Sequence, residues 1–429
     1  MKSDKLKVLF APSDLAGVGH IRSIWPAQLL KKYHSDEIEV RISTNPNTHD
    51  IEYLSQFDII HFHRAFGAYE KTQELVAELN KRGTILVMDI DDYWNPPPTH
   101  HLHALVQADK MHEKIENNLR VTNYVTTTTD IFANEISKFN KNVFVIPNAV
   151  NMEENMWKSE VVENKSGKVR VAWIGGSSHL YDLHNLKDSM FYLANDKTLK
   201  GKFQVVMCGF DTRGTITEIQ GNEKKIRAIK KHETIWMDFE KIFTADYKLL
   251  NDDPEYLKWL LKIENKPYPN QELTDYIRRW TLPLTQYAKH YDHCDICLAP
   301  IAESYANKSP KGQVSYKENM FNKMKSELKI IESGMKRKVL IAQDFGIYKE
   351  ILKDGETGIL IKDNKDGWYK AIKKLINDEV YRNELADNLH EFVKEKYLLT
   401  NVNKSRLDFY KNIVSSNVSI EQKNQEVAV

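Results

Sequence analysis

The chain has 429 residues, too many for one ordinary domain and suited to two or three. Lysine and arginine total 61 against 60 aspartates and glutamates, a formal net charge of +1, so no global field draws the protein to nucleic acid or to an anionic membrane, although local basic patches stay open. An apolar fraction of 41% supports real cores and argues against global disorder.

The amino-terminal stretch "MKSDKLKVLFAPSD" has no apolar core of signal-peptide length. No apolar run anywhere approaches the ~20 residues that span a bilayer. The expected setting is therefore the cytoplasm. In chain order, "KVLFAP" (7–12) reads as a strand and "IRSIWPAQLLKKY" (21–33) as a helix interrupted by Pro26. "EIEVRIST" (37–44) and "FDIIHFH" (57–63) read as strands. "YEKTQELVAELNKRG" (69–83) is helical and closed by Gly83. "TILVMDID" (84–91) is a strand ending in acid, and 103–122 is helical. "YVTTTT" (124–129), "DIFANEISKF" (130–139) and "VFVIPNAV" (143–150) repeat the cycle. Strands alternating with helices predict parallel pairing and a doubly wound sheet.

Residues 151–168 are polar and unpatterned and read as a linker. A second series follows, with strands at 169–176, 203–210, 295–301, 338–343 and 357–362. The stretch 211–290 is long, aromatic and charged, and packed helices are expected there. Residues 302–319 read as a flexible insertion. Cys294 and Cys297 form C-x-x-C, but the second pair that a zinc ribbon needs is missing. They read as small apolar residues on a buried strand, and with Cys208 they suit a reducing compartment. The tail is helical, fraying after about 415. The predicted organisation is an acceptor-side Rossmann-like domain over 1–155, a nucleotide-binding Rossmann-like domain over 169–400 with a helical insertion at about 211–290, and a final helix and tail over 401–429.

Two such domains are expected to face each other across a cleft, with ligands outside the carboxyl ends of the strands. After the first strand, "SDLAGVGHIRS" holds Gly17, Gly19 and His20 where a helix begins, an arrangement that suits an anion as well as a plain tight turn. After the fourth, "MDIDDYW" crowds Asp89, Asp91 and Asp92; a carboxylate there can orient or deprotonate a sugar hydroxyl. "WIGGSSHLYD" (173–182) offers Gly175, Gly176, Ser177 and Ser178 to phosphate oxygens. His179 adds a donor whose tautomer Asp182 can fix. In "FNKMKSELKIIESG" (321–334), Lys325 and Lys329 stand four apart on one predicted helical face, with Glu332 three residues on. Lys325 and Ser326 in the first turn make an anion site with the positive end of the helix. Glu332 suits paired ribose hydroxyls; the bland alternative is a solvated salt-bridged face.

These stretches resemble the retaining nucleotide-sugar glycosyltransferases of the GT-B fold. "VFVIPNAVN" matches the motif that closes that family's first domain. "KIIESGMKRKVLIAQDFGIYKEILKDGETGILI" matches its second-domain signature in order and spacing. "FNKMKSELKIIE", "DIDDYW" and the "GGSSH" turn with Asp182 resemble a subgroup found in phage genomes and surface-polysaccharide clusters. The resemblance implies a UDP- or GDP-sugar on the second domain, an acceptor glycan, protein or modified nucleic acid on the first, and transfer with retention, of the hexosyltransferase type. It gives Glu332 the donor ribose, Lys325 and Lys329 the diphosphate, Gly175 and Gly176 the turn beneath the phosphates, and Gly17 and Gly19 the reacting centre. Asp91, His179 and Lys325 are the catalytic candidates; His20 and Asp92 stand on the acceptor side. No metal or cofactor is required if lysines and helix dipole carry the charge. A phage-encoded protein would work in the host cytoplasm. The family's first motif carboxylate, eight residues before Glu332, is Met324 here, and its Arg and Lys after the second glycine turn are replaced near Ser178 and His179. Three other readings stay open: transfer to modified DNA bases, using the basic "KKIRAIKKH" (224–232); a non-catalytic sugar-nucleotide-binding protein; and an epimerase. Oligomeric state is not legible.

Overall fold

The computed structural model describes residues 5–160, 162–221, 223–263, 267–308 and 313–427. The chain divides into two units. The first comprises Met1–Glu153, Lys323–Ile331 and Lys394–Val429; the second comprises Glu154–Asn322 and Glu332–Val393.

The first unit is built on strands β1 (Leu6–Ala11), β2 (Ile38–Ile42), β3 (Ile59–His63), β4 (Ile85–Asp89), β5 (Tyr124–Thr127) and β6 (Val143–Val145). They form one sheet in the order β2-β1-β3-β4-β5-β6, and every pairing is parallel. β3 and β4 are buried along their whole length, as central strands covered on both faces must be. The expected break at Pro26 does not occur. A π-helical turn over His20–Ile24 leads straight into the helix Trp25–Tyr33. Pro26 falls directly after the π-helical turn, where the regular ladder of backbone hydrogen bonds is already interrupted, so its missing N–H does not break the helix.

The last helix, Leu399–Val427, extends well past the point where fraying was expected and belongs with the first unit. Val150 N–H donates to Tyr397 O, Asn403 donates to Pro26 O, and Tyr410 hydrogen-bonds the buried His61. Leu407, Tyr410 and Ile413 are buried. A tail with apolar side chains at helical spacing has this surface to cover, which is why it stays helical.

The second unit holds β7 (Val169–Ile174), β8 (Phe203–Phe210), a hairpin of β9 (Thr215–Gln220) and β10 (Glu223–Ala228), β11 (Tyr276–Trp280), β12 (Ile296–Ala299), a hairpin of β13 (Ser304–Lys308) and β14 (Val314–Glu318), then β15 (Val339–Gln343) and β16 (Ile359–Ile361). Its main sheet has the order β11-β8-β7-β12-β15-β16, again all parallel. The insertion is thus only partly helical. It contains the β9–β10 hairpin, the helices Trp236–Phe243 and Pro254–Leu261, and a sixth sheet strand. Asp253 caps the second helix by accepting the N–H of Tyr256, with Pro254 just inside. Trp236, Phe239, Phe243 and Tyr256 join the same core as Trp173 and Phe210. Residues 302–319, expected to be loose, hold the β13–β14 hairpin; 309–312 lie outside the described residues.

One buried ion pair fixes the carboxyl edge of the first sheet. The Arg22 guanidinium meets Asp89 through Nε at 2.9 Å and Nη2 at 2.7 Å, while Nη1 donates to Ile146 O at 2.7 Å and to Asn148 Oδ1 at 3.2 Å. Both side chains are 1% exposed. Burial alone pushes Asp89 up, but Arg22 overrides it and holds the carboxyl well below the usual range. Removing one partner of such a pair strands the other charge, at a cost of about 3–5 kcal/mol. Arg22→Met is therefore expected to lower stability by about that amount in urea unfolding, and a loss under about 1 kcal/mol would contradict the reading.

Candidate functional site

Three neighbouring strand ends of the first unit build one cluster. After β1, Asp14 Oδ1 accepts the N–H groups of Ala16 at 2.8 Å and Gly19 at 3.1 Å, folding the loop onto itself. A Cβ on Gly19 would lie 1.9 Å from Asp14 O. Glycine is required there by the loop's own backbone, whatever else approaches it. Gly17 shares this short turn. His20 Nδ1 hydrogen-bonds Ala16 O, and its ring packs edge-on against Trp25.

After β3 and β4 the side chains interlock. His63 Nδ1 lies 2.8 Å from Ser13 Oγ, and Nε2 lies 2.9 Å from Asp91 Oδ1. Ser13 Oγ also lies 2.9 Å from Asp14 Oδ2. Arg64, left-handed with φ 59°, brings its guanidinium 3.4 Å from Asp91. A left-handed non-glycine residue stores about 1–3 kcal/mol and tends to mark functional sites. The two predicted carboxylates differ. Burial pushes Asp91 up, but the His63 hydrogen bond and Arg64 override it and hold it down to about 2. Asp92 is pushed up to about 6 by burial and by Asp91, against Arg64 and Lys325. Asp92 makes no hydrogen bond among the described residues, whereas Asp91 is committed to His63.

In the second unit, β7 ends at Gly175 and Gly176, followed by one 3-10 turn over Ser177–His179. Gly209 has φ +104°, and a Cβ there would lie 2.0 Å from Gly175 O. The backbone just after β7 thus touches the end of β8 where a side chain would block it. His179 Nδ1 is 2.8 Å from Asp182 Oδ2, the pairing expected from sequence. Asp182 Oδ1 is itself fixed, accepting Ala302 N–H at 2.9 Å and Asn322 Nδ2 at 2.6 Å. Glu332 is anchored through Oε2, which accepts the Tyr291 hydroxyl proton at 2.6 Å. Burial, followed by the Glu332 charge, pushes the Tyr291 hydroxyl well up, so it stays a donor.

The segment around Lys325 differs from its sequence reading. The helix starts at Leu328, so Lys325 and Ser326 precede it, after a separate helical turn over Met320–Lys323. Lys325 and Lys329 do not share a helical face; Lys329 and Glu332 do, one turn apart within Leu328–Met335. Lys325, Ser326 and Lys329 group with the first unit, and Glu332 with the second. Met324, standing at the family's first carboxylate position, is buried.

No protein-family model matches the chain, and no curated protein matches it. Solved structures do. HepE of Anabaena in complex with UDP is 11% identical, covering 95% of this chain and all of its own, with a TM-score of 0.55. A sucrose-phosphate synthase from Thermosynechococcus elongatus is 13% identical over 96% of this chain and 100% of its own, with a TM-score of 0.56. A glycosyltransferase from Rickettsia africae is 12% identical over 96% and 99%, with a TM-score of 0.57. At such identities the likeness is one of fold: two Rossmann-like units, the GT-B fold that the sequence resemblance implies.

Sequence reading missed Arg22, His63, Arg64, Tyr291 and Glu327. Glu327 is 1% exposed, accepts Asn148 N–H at 2.7 Å through Oε1, and leaves Oε2 without a partner among the described residues. Its sign was the Asn148 of "PNAV", whose backbone needs an acceptor. Burial pushes Glu327 up to about 7, against the Asn148 hydrogen bond and the Arg22 charge. Unfolded, it titrates near 4.5. Between those values the folded chain holds a proton that the unfolded chain has lost, so this residue's contribution falls as pH rises from about 4.5 to about 7. Glu327→Gln keeps an acceptor and removes the charge. It is expected to match the wild type in thermal melts near pH 4.5 and to exceed it at pH 8 by about 1–3 kcal/mol. Equal stability at pH 8 would contradict a buried, uncompensated carboxylate.

Proposed function

We propose that the protein transfers a sugar from a nucleoside-diphosphate sugar, of the UDP or GDP type, to an acceptor hydroxyl, with retention of anomeric configuration. The observation that carries this reading is the turn after β7. Two glycines, two serines and a histidine locked to Asp182 sit at the carboxyl edge of a parallel sheet, where such folds place phosphates. The fold shared with HepE, a structure that holds UDP, supports the same reading.

Gly175 donates its own N–H to Cys208 O and shapes the turn, so the Gly176 N–H and the hydroxyls of Ser177 and Ser178 meet the diphosphate. His179 adds a donor, and the sequence resemblance implies that Lys325, Ser326 and Lys329 neutralise the charge that develops as the sugar–oxygen bond breaks. Glu332 accepts from the ribose hydroxyls. The acceptor lies on the first unit near Gly17, Gly19, His20, Asp91 and Asp92. These lysines do the work a divalent cation would do, so EDTA is expected to leave turnover unchanged; loss of activity restored by added Mg²⁺ or Mn²⁺ would contradict that assignment.

The acceptor is read as a glycan or protein hydroxyl, not a DNA base. The basic stretch at 224–232 is folded into the β9–β10 hairpin and the turn after it, with Arg227 committed to Glu218 and to Glu233, both at 2.8 Å. The cysteines are free thiols, which suits a cytoplasmic enzyme.

The test is a panel of UDP-, GDP- and ADP-sugars. A matching nucleotide is expected to raise the melting temperature and its sugar donor to release free nucleotide slowly. Binding without release would make the protein a sugar-nucleotide-binding module, and an isomerised donor would make it an epimerase. Lys325→Ala and Lys329→Ala are each expected to cut turnover by about 10²-fold while melting temperature stays near the wild type; normal transfer in both would overturn the clamp. Tyr291→Phe removes the hydrogen bond that orients the Glu332 carboxylate. The preference for UDP over 2′-deoxy-UDP is therefore expected to shrink, and an unchanged ratio would detach Glu332 from the ribose.

A further inference from the structure

The buried polar groups of the first unit include one arrangement that sugar-donor binding does not use. Ser13, His63 and Asp91 come from the carboxyl ends of three adjacent strands, β1, β3 and β4, and touch in sequence at 2.8 and 2.9 Å. His63 is 6% exposed and Asp91 8%, while Ser13 is exposed. An exposed hydroxyl joined to a buried imidazole that is joined in turn to a carboxylate is the connectivity that takes a proton from a bound hydroxyl.

The Ser13 proton has two places to go, His63 Nδ1 and Asp14 Oδ2, and the choice defines two states. Asp91 is an ionised acceptor, so His63 Nε2 carries a hydrogen toward it. With neutral His63, Nδ1 is a lone pair and accepts the Ser13 hydroxyl proton. With imidazolium, Nδ1–H donates to Ser13 Oγ, and the Ser13 proton turns to Asp14 Oδ2. The two states differ by one proton: with neutral His63 the Ser13 proton leaves Asp14 Oδ2 without its Ser13 donor, and with imidazolium Asp14 Oδ2 keeps it. Asp14 from the β1 loop, Asp91 and Asp92 from the β4 loop, and Arg64 beside His63 are the charged groups that face the imidazole.

We propose that Ser13, His63 and Asp91 form a proton relay that takes the hydrogen of the acceptor hydroxyl during transfer. As the acceptor oxygen bonds to the anomeric carbon, its proton passes to Ser13 Oγ, and the Ser13 proton passes to His63 Nδ1. The bond from the anomeric carbon to the phosphate oxygen breaks, and the diphosphate leaves with the electron pair. His63 becomes an imidazolium between Asp91 and Ser13. It returns its proton through Ser13 to solvent after the product departs, so one acceptor and one sugar donor give one glycoside, one nucleoside diphosphate and one proton. Ser13 is the catalytic residue, and His63 and Asp91 act through it. The left-handed Arg64 sets the register: its N–H donates to Asp89 O, next to the strand end that carries His63.

This inference rests on the transferase reading, and the experiment separates the two. The full chain is assayed with the sugar-nucleotide panel and simple alcohol acceptors across pH 5–9, as wild type, Ser13→Ala, Ser13→Thr and Asp91→Asn. Ser13→Ala is expected to slow transfer by about 10²-fold, to lose the rising limb of the wild-type pH profile, and to bind UDP or GDP within twofold of the wild type. Ser13→Thr restores rate and limb. Asp91→Asn, which no longer holds Nε2–H with a charge, is expected to slow transfer comparably and move the limb. If no sugar donor releases nucleotide with wild type, the transferase reading falls and the relay falls with it. If wild type turns over and Ser13→Ala matches its rate and profile, the relay alone is overturned, and the departing phosphate oxygen takes the proton. Ser13 is exposed, so its replacement tests chemistry without disturbing the core.

Discussion

The bidentate pair of Arg22 with Asp89 is the constraint on which the first unit's carboxyl edge depends. It joins the π-helical turn after β1 to the end of β4, and a third donor of the same guanidinium reaches the carbonyl and side chain of the segment after β6. A buried charge of this kind contributes little by replacing an apolar contact, but it fixes register, because no shifted arrangement satisfies its donors. Thr126 and His61 close the remaining side of Asp89, and the last helix covers His61 with Tyr410. Ser13, His63, Asp91 and Asp92 all stand within three residues of a strand end in this sheet, so the geometry of the predicted acceptor groups is inherited from that tie.

The second unit solves a different problem. Its strand-end turn is glycine where backbones touch and hydroxyl where a ligand would meet it, and its one histidine there is held by a carboxylate that is itself held twice. The buried Glu240–Arg278 pair does for the insertion what Arg22 does for the first unit, tying a helix of the insertion to β11 through contacts of 2.6 and 2.8 Å. Arg278 also lies over the Phe210 ring, so the charge is enclosed by aromatic faces. Local precision in both units comes from second partners of charged side chains.

The parallel sheets were legible because their central strands are short apolar runs set between helical periods. Pairings that depend on buried charge were not. "YIRRW" carries two arginines and does not read as a strand, yet it is the sixth strand of the second sheet, since Arg278 finds Glu240 inside. The same masking hid Arg22 in a helix start and Glu327 before another. The His179–Asp182 pair was visible because three residues separate its members within one turn. Ser13 with His63 was invisible because 50 residues separate them and only the sheet order brings them together. The shared helical face of Lys325 and Lys329 was an overextension. Spacing of four implies a common face only inside a helix, and this one starts at Leu328.

The central claim is that the second unit's turn after β7 holds a diphosphate and Glu332 holds the adjoining ribose. Crystals of the full chain grown with UDP or GDP test it most directly. The account predicts phosphate density within hydrogen-bond distance of residues 175–179, with a ribose hydroxyl hydrogen-bonded to the Glu332 carboxylate. Nucleotide bound elsewhere, with His179 and Glu332 untouched, would contradict it.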